Sequence, residues 1–191
     1  GGSDNQKEEY LPRIAAGDLT MGVGLTEQIG RRDSEGIQSR GASLTGRAMF
    51  VLDGIDADAF IVADTNRCLY IVHNSDLTKR PLTTIDKTRA VAELEFDGTP
   101  AELLPNSKKN DGIILDVIDS GRVMLAADTL GASQTMLNKT LAYVQERRQF
   151  NRVIGSFQAV KHMCAEMTAE LEPCRSLIWY SAHALRAIPD E

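Results

Sequence analysis

The sequence has no paired-cysteine spacing, no long apolar run and no excess of positive charge, and each absence removes a class of function. Its three cysteines, Cys68, Cys164 and Cys174, are odd in number and form no CxxC, so a disulfide framework is not expected. A reduced, cytoplasmic compartment is the simplest setting. The longest apolar runs, such as AFIVA at 59–63, are far too short to cross a bilayer. A net charge of −6 gives no overall attraction to nucleic acid or anionic membrane, so any phosphate recognition has to be local. The polar, acidic opening GGSDNQKEEYLPRI is neither a signal nor a transit peptide. There is no GxSxG elbow, no P-loop and no HExxH, and GVGLTEQIG lacks GxGxxG spacing. His73, His162 and His183 are scattered without a second ligand at helical spacing, so no metal site is expected. The four aspartates of DGIDADAFIVAD miss the calcium-loop positions and read as a solvated turn.

What is present divides by period. From about Leu19 to Phe96 the chain offers short β-rich runs cut by Gly, Asp and Asn: LTMGVGLTE, RAMFVLD, DAFIVAD, RCLYIVH and RAVAELEF. They predict a small antiparallel β-barrel or sandwich domain. TPAELLPNSKKNDG then reads as a connection. From about Ile113 the period is helical. Leu130, Leu137, Leu141 and Val144 share one face, with Met124 and Ala127 leading in. Phe157, Val160, Cys164, Met167, Leu171, Cys174, Ile178 and Leu185 form a longer stripe, which puts both cysteines in a core. Pro173 inside it predicts a kink. The class is α+β, strands first and a helical bundle after. Residues 1–12 read as the end of a preceding helical domain, 13–106 as the β-domain and 107–191 as the first part of the bundle. Two long amphipathic helices need more apolar surface than this chain supplies, so it reads as a fragment.

One stretch carries chemistry: YVQERRQFNRVIGSFQAVKH, Tyr143 to His162. Arg147 and Arg148 close one helix, Phe150 follows, and Ser156 is placed to cap the next helix with Gln158 in its first turn. A guanidinium fork beside a helix N-terminus favours phosphate, through fixed donors and the helix dipole. An aromatic ring three residues along can pack against a flat ligand. The same residues also fit a charged helix end followed by two core phenylalanines.

GRVMLAADTLGASQTMLNKTLAYVQERRQFNRVIGSFQAVKHMCAEM closely resembles the start of the C-terminal helical domain of acyl-CoA dehydrogenases, with its R..F and FQ on consecutive helices. GDLTMGVGLTE stands where that family has a strand ending in Thr-Glu-Pro. LTGRAMFVLDGIDADAFIVAD stands where it has a Gly-Lys-x-Trp-Ile-Thr-Asn-like strand and the next one. QKEEYLPRIAAGD resembles the segment leading into that sheet. The resemblance implies FAD bound at subunit interfaces of a homo- or heterotetramer, a dimer of dimers. It implies α,β-dehydrogenation of an acyl-CoA thioester, with an electron-transfer flavoprotein as acceptor. Carried over by position, Arg147 contacts the flavin pyrophosphate of a neighbouring subunit, Phe150 packs near the cofactor and Gln158 lines the same interface. Thr26 matches the threonine that meets the flavin ring, and Asp119 and Arg122 match positions that hold the acyl-CoA.

The departures are specific. TEQIGRRD has Gln28 for the proline and Arg31 and Arg32 for Gly-Ser. Phe50 stands for the tryptophan, and Leu52 for the threonine that hydrogen-bonds the flavin N5 edge; losing such a hydroxyl costs about 1–3 kcal/mol when a polar atom is left unpaired. Asn151 replaces the glycine after R..F, and Gln149 a small hydroxyl residue. In one branch the catalytic base is a glutamate directly before the first helix's arginine, here Gly121; in the other it lies beyond Glu191. No catalytic residue is therefore assigned. Three readings follow: a dehydrogenase subunit seen in part, a non-catalytic partner subunit of a heteromeric dehydrogenase, and a flavin monooxygenase-like relative that needs no base.

Overall fold

The computed structural model describes residues 1–25, 36–109 and 112–187. By their contacts the residues divide into two compact units, Gly1–Leu115 and Asp116–Glu191.

The first unit opens with helix α1 (Asp4–Ala16). A capping box starts it: the Ser3 hydroxyl accepts from the Gln6 amide, and the Gln6 side chain accepts from the Ser3 amide. Gly17, left-handed at φ +80°, ends it, with the Asp18 amide reaching back to the Arg13 carbonyl. Gln6 and Tyr10, one turn apart, are the buried face. The Gln6 amide group donates to Glu102 and to the Leu103 carbonyl, and the Tyr10 hydroxyl donates to the other Glu102 oxygen at 2.9 Å. Burial, reinforced by the Glu102 carboxylate, pushes the Tyr10 phenol up to about 12. An unfolded tyrosine ionises near 10, so the folded state keeps its proton over a pH range where the unfolded state has lost it. The Tyr10 contribution to stability should thus be constant below about pH 10 and fall by on the order of 2–3 kcal/mol between about pH 10 and 12. Urea unfolding of Tyr10→Phe across that range checks this: the alkaline fall should shrink, against a loss of about 1 kcal/mol at neutral pH from the hydrogen bond to Glu102.

Among the described residues eight strands follow: β1 (Met21–Gly24), β2 (Ile37–Arg40), β3 (Ser43–Leu52), β4 (Ala59–Ala63), β5 (Leu69–His73), β6 (Thr78–Pro81), β7 (Val91–Pro100) and β8 (Glu102–Leu103). They form two four-stranded sheets, ordered β1-β4-β5-β8 and β2-β3-β7-β6. Alternate residues of both sheets meet in one core, Phe60, Val62, Tyr70 and Val72 from one and Leu44, Val51, Leu94 and Phe96 from the other. Of the two expected architectures the sandwich is the one found, and the described strands close no barrel. Pairing is antiparallel except that β1 runs parallel to β4, because β2 and β3 form a crossover through the other sheet. The expected solvated aspartate turn is corrected in part. Asp64 is 1 % exposed, and its carboxylate accepts from the Ser39 hydroxyl and the Asn66 and Cys68 amides, building the β4–β5 turn. Asp58, exposed, accepts both the amide and hydroxyl of Thr20, which hold its carboxyl below the usual range.

Beyond the sheets run α2 (Gly112–Glu146), the short strands β9 (Arg148–Gln149) and β10 (Arg152–Val153), and α3 (Gln158–Ala187). Leu137 and Val144 of the α2 stripe are buried, Leu130 and Leu141 half-buried, and Met124 is exposed. The α3 stripe is not a core here. No residue of α3 is buried, Cys164 is half-buried and Cys174 exposed. A pair of helices offers each only one mutual face, so a stripe this wide stays open. The helix continues through Pro173. Among the described residues no helix is long and apolar enough to cross a membrane.

Candidate functional site

The joint between α2 and α3 is a tight hairpin. The Arg147 amide makes the last helical bond of α2, to the Tyr143 carbonyl, and the Arg147 carbonyl accepts from the Ile154 amide at 2.8 Å, closing the hairpin's base. Gly155 allows the return strand to lie this close: a β-carbon there would stand 2.9 Å from the Val144 carbonyl oxygen. Gln149 pairs with Arg152 and Arg148 with Val153, which leaves Phe150 and Asn151 as a two-residue turn. Both are left-handed, at φ +51° and +61°, the sign pattern of a type I′ hairpin turn. Asparagine tolerates this conformation better than other side-chain-bearing residues, which explains how Asn151 can stand where the resembled family has glycine. A phenylalanine there costs about 1–2 kcal/mol.

That cost is not recovered by burial, since Phe150 is 86 % exposed. Its ring meets Phe157 edge to face, with centroids 6.1 Å apart and planes at 85°. The Arg152 guanidinium lies 4.0 Å from the centroid of the Phe157 ring. The alternative of two core phenylalanines therefore fails at Phe150. Ser156 does not start α3 as expected. It sits in a 3-10 turn (Ile154–Ser156), donates its hydroxyl to the Val153 carbonyl, and the first bond of α3 runs from the Lys161 amide to the Phe157 carbonyl. Gln158 is exposed and shares a hydrogen bond with His162, one turn on. Arg147, Arg148, Arg152 and Lys161 are all exposed, so an acidic chain carries four cations on one short segment. Sequence reasoning missed Arg152; the signal available was its place directly after an Asn-containing hairpin turn, opposite an aromatic.

The other candidates lie elsewhere. Asp119 and Arg122 form an ion pair at 2.7 Å, both on the surface of α2. From Arg122 to the end of α2 is 24 residues (146 − 122), roughly 36 Å along a helix rising 1.5 Å per residue. Leu52 closes β3 in the other unit; a bulge between Ala48 and Val51 leaves it 42 % exposed and turns Phe50, left-handed at φ +56°, outward. Thr26 falls outside the described residues, as do Gln28, Arg31 and Arg32. Gly121 lies within α2, and a β-carbon there meets nothing within 4 Å, so the helix has room for a side chain but bears no carboxylate at that position. Gly121→Ala should stabilise the protein by about 0.5–1 kcal/mol through helix propensity alone, read as a higher urea midpoint.

Residues 110–191 match the family model for the acyl-CoA dehydrogenase C-terminal domain. Over 97 % of its length the chain is 29 % identical to the short-chain specific acyl-CoA dehydrogenase of Clostridium acetobutylicum, covering 55 % of that protein. It is 27 % identical to the mitochondrial isovaleryl-CoA dehydrogenase of Arabidopsis thaliana, over 93 % of this chain and 49 % of that one. Among solved structures, glutaryl-CoA dehydrogenase of Mycobacterium smegmatis superposes with a TM-score of 0.82 at 26 % identity, over 96 % of this chain and 52 % of its own. The chain thus spans about half the length of the relatives it matches.

Proposed function

Because this chain belongs to the acyl-CoA dehydrogenase family, we propose that it is the middle domain and first helical part of an FAD-dependent subunit that oxidises an acyl-CoA thioester between its α and β carbons. The observation that carries the reading is the hairpin. The exposed pair Arg147 and Arg148 and a ring held outward at a conformational cost fit an anionic ligand with a flat part. In this reading Arg147 and Arg148 bind the cofactor's pyrophosphate, Phe150 packs against it and Gln158 lines the same contact. FAD, when bound, supplies the hydride acceptor. Asp119 and Arg122 hold the acyl-CoA, and Thr26 and Leu52 flank the flavin ring. The roughly 36 Å of helix between Arg122 and Arg147 supports two different sites for them, with Arg147 serving the FAD of a neighbouring subunit in a dimer of dimers. Electrons pass on to an electron-transfer flavoprotein. Three cysteines with no paired spacing accord with a cytoplasmic setting.

A second reading, a non-catalytic partner subunit that lends its hairpin to an active one, has two observations in its favour. The exposed end of β3 presents Leu52, which donates no hydrogen bond, and Gly121 supplies no base. The deciding experiment is the visible absorption spectrum of protein made from the longest native reading frame, before and after adding FAD. A flavin band near one per chain that bleaches with an acyl-CoA supports the dehydrogenase. A protein that stays colourless sinks the self-sufficient enzyme and turns the search to a partner chain.

A further inference from the structure

Phe150 is held outward by a relay rather than by burial. Its ring rests edge to face on Phe157, and Phe157 is in turn covered by the guanidinium of Arg152. All three sit within the hairpin and the turn that follows it, where the Gln149–Arg152 pair fixes the backbone from which Arg152 projects. Phe157 itself is only half-buried, so Arg152 provides a face that the protein core does not. We propose that Arg152 is a positioning residue: it steadies Phe157, Phe157 steadies Phe150, and the exposed ring is thereby pre-set as a contact surface for the flat part of a bound dinucleotide. This rests on the cofactor reading above and adds a role for a cation that need not touch the ligand. Pre-setting matters because a ring left free in the unbound protein has to be ordered on binding, which weakens affinity without removing any contact.

A cation over an exposed ring contributes about 0.5–1 kcal/mol, which corresponds to a two- to five-fold change in an equilibrium. The test is a double-mutant cycle of Arg152→Met and Phe157→Leu in the native full-length protein, with two readouts. The first is amide hydrogen exchange across 149–154 without FAD. Arg152→Met should speed it about two- to five-fold, Arg152→Lys should restore most of the protection, and Arg152→Met should add little once Phe157 is leucine. The second is FAD affinity, expected to fall by the same factor with the same non-additivity and with little change in its salt dependence. Exchange that is unchanged in Arg152→Met overturns the proposal whatever FAD does. Additive losses, or a flattened salt dependence, overturn it in favour of a direct contact between Arg152 and the ligand's phosphates. A wild-type protein without FAD affinity overturns the cofactor reading and the ligand half of this proposal with it, while the exchange data still decide the relay.

Discussion

Phe60→Ala is expected to cost about 3–5 kcal/mol, a large part of the 5–15 kcal/mol that holds a domain of this size together. Phe60 is fully buried near the start of β4 and belongs to the core shared by both sheets. The neighbouring strand is built around it. Gly22 of β1 stands directly opposite in the parallel register, and a β-carbon there would come within 2.7 Å of the Phe60 ring. The ring occupies the volume a side chain on β1 would need, and β1 can approach because residue 22 has none. Truncating the ring therefore opens a cavity bounded on one side by the backbone of β1 at Gly22, which has no side chain to fill it. The complementary change makes the prediction specific. Gly22→Val should be destabilising on its own through overpacking and should recover part of the loss in a Phe60→Ala background. Urea unfolding of the two single variants and the double variant measures both; simple additivity would show that the two positions do not share this volume.

This register also shows what the sequence could and could not convey. The five β-rich runs correspond to β1, β3, β4, β5 and β7; the last four supply most of the core, and apolar patterning against a core is the signal that sequence carries. The strands passed over, IQSR, TKRP and EL, are short, mostly polar and mostly edge segments, recognisable only by the partners they pair with. Asp64 departs from the solvated-turn expectation for a related reason. Ser39 of β2 and the Asn66 and Cys68 amides of the turn converge on it, and nothing in a linear reading says that they do. The α3 stripe failed in the opposite sense: its period is plain in the sequence, but a period states which face is apolar, not whether anything lies against it. At the site, proximity in sequence puts Arg147, Phe150 and Gln158 in the one joint between α2 and α3. The exposure of Phe150 and the part played by Arg152 depend on a left-handed two-residue turn, and FN in place of the usual Asn-Gly hides that turn.

Arg147→Glu should separate cofactor binding from folding more sharply than any other single change. Arg147 is exposed, and its structural bonds run through its backbone, to Tyr143 and from Ile154, so a side-chain replacement should leave the melting temperature nearly unchanged. In the proposed role its guanidinium pairs with a phosphate charge. Reversing it replaces attraction by repulsion, for which about 3 kcal/mol or more is expected, a hundredfold or greater loss of FAD affinity. Titration of the apo-protein followed by flavin fluorescence reads this directly, and an affinity within a few-fold of wild type would remove Arg147 from the cofactor site. The same variant tests whether the contact is made across a subunit boundary. Leu52→Glu should also impair binding, by placing a carboxylate beside the flavin ring, but in the reading proposed here it damages the site that its own chain builds, whereas Arg147→Glu damages a neighbour's. Neither variant alone should then hold FAD, yet subunits of the two refolded together should regain part of it, because a mixed interface joins an intact β-domain to an intact hairpin. Mixing that restores nothing, with both chains folded and associated, would place Arg147 and Leu52 at one site of a single chain.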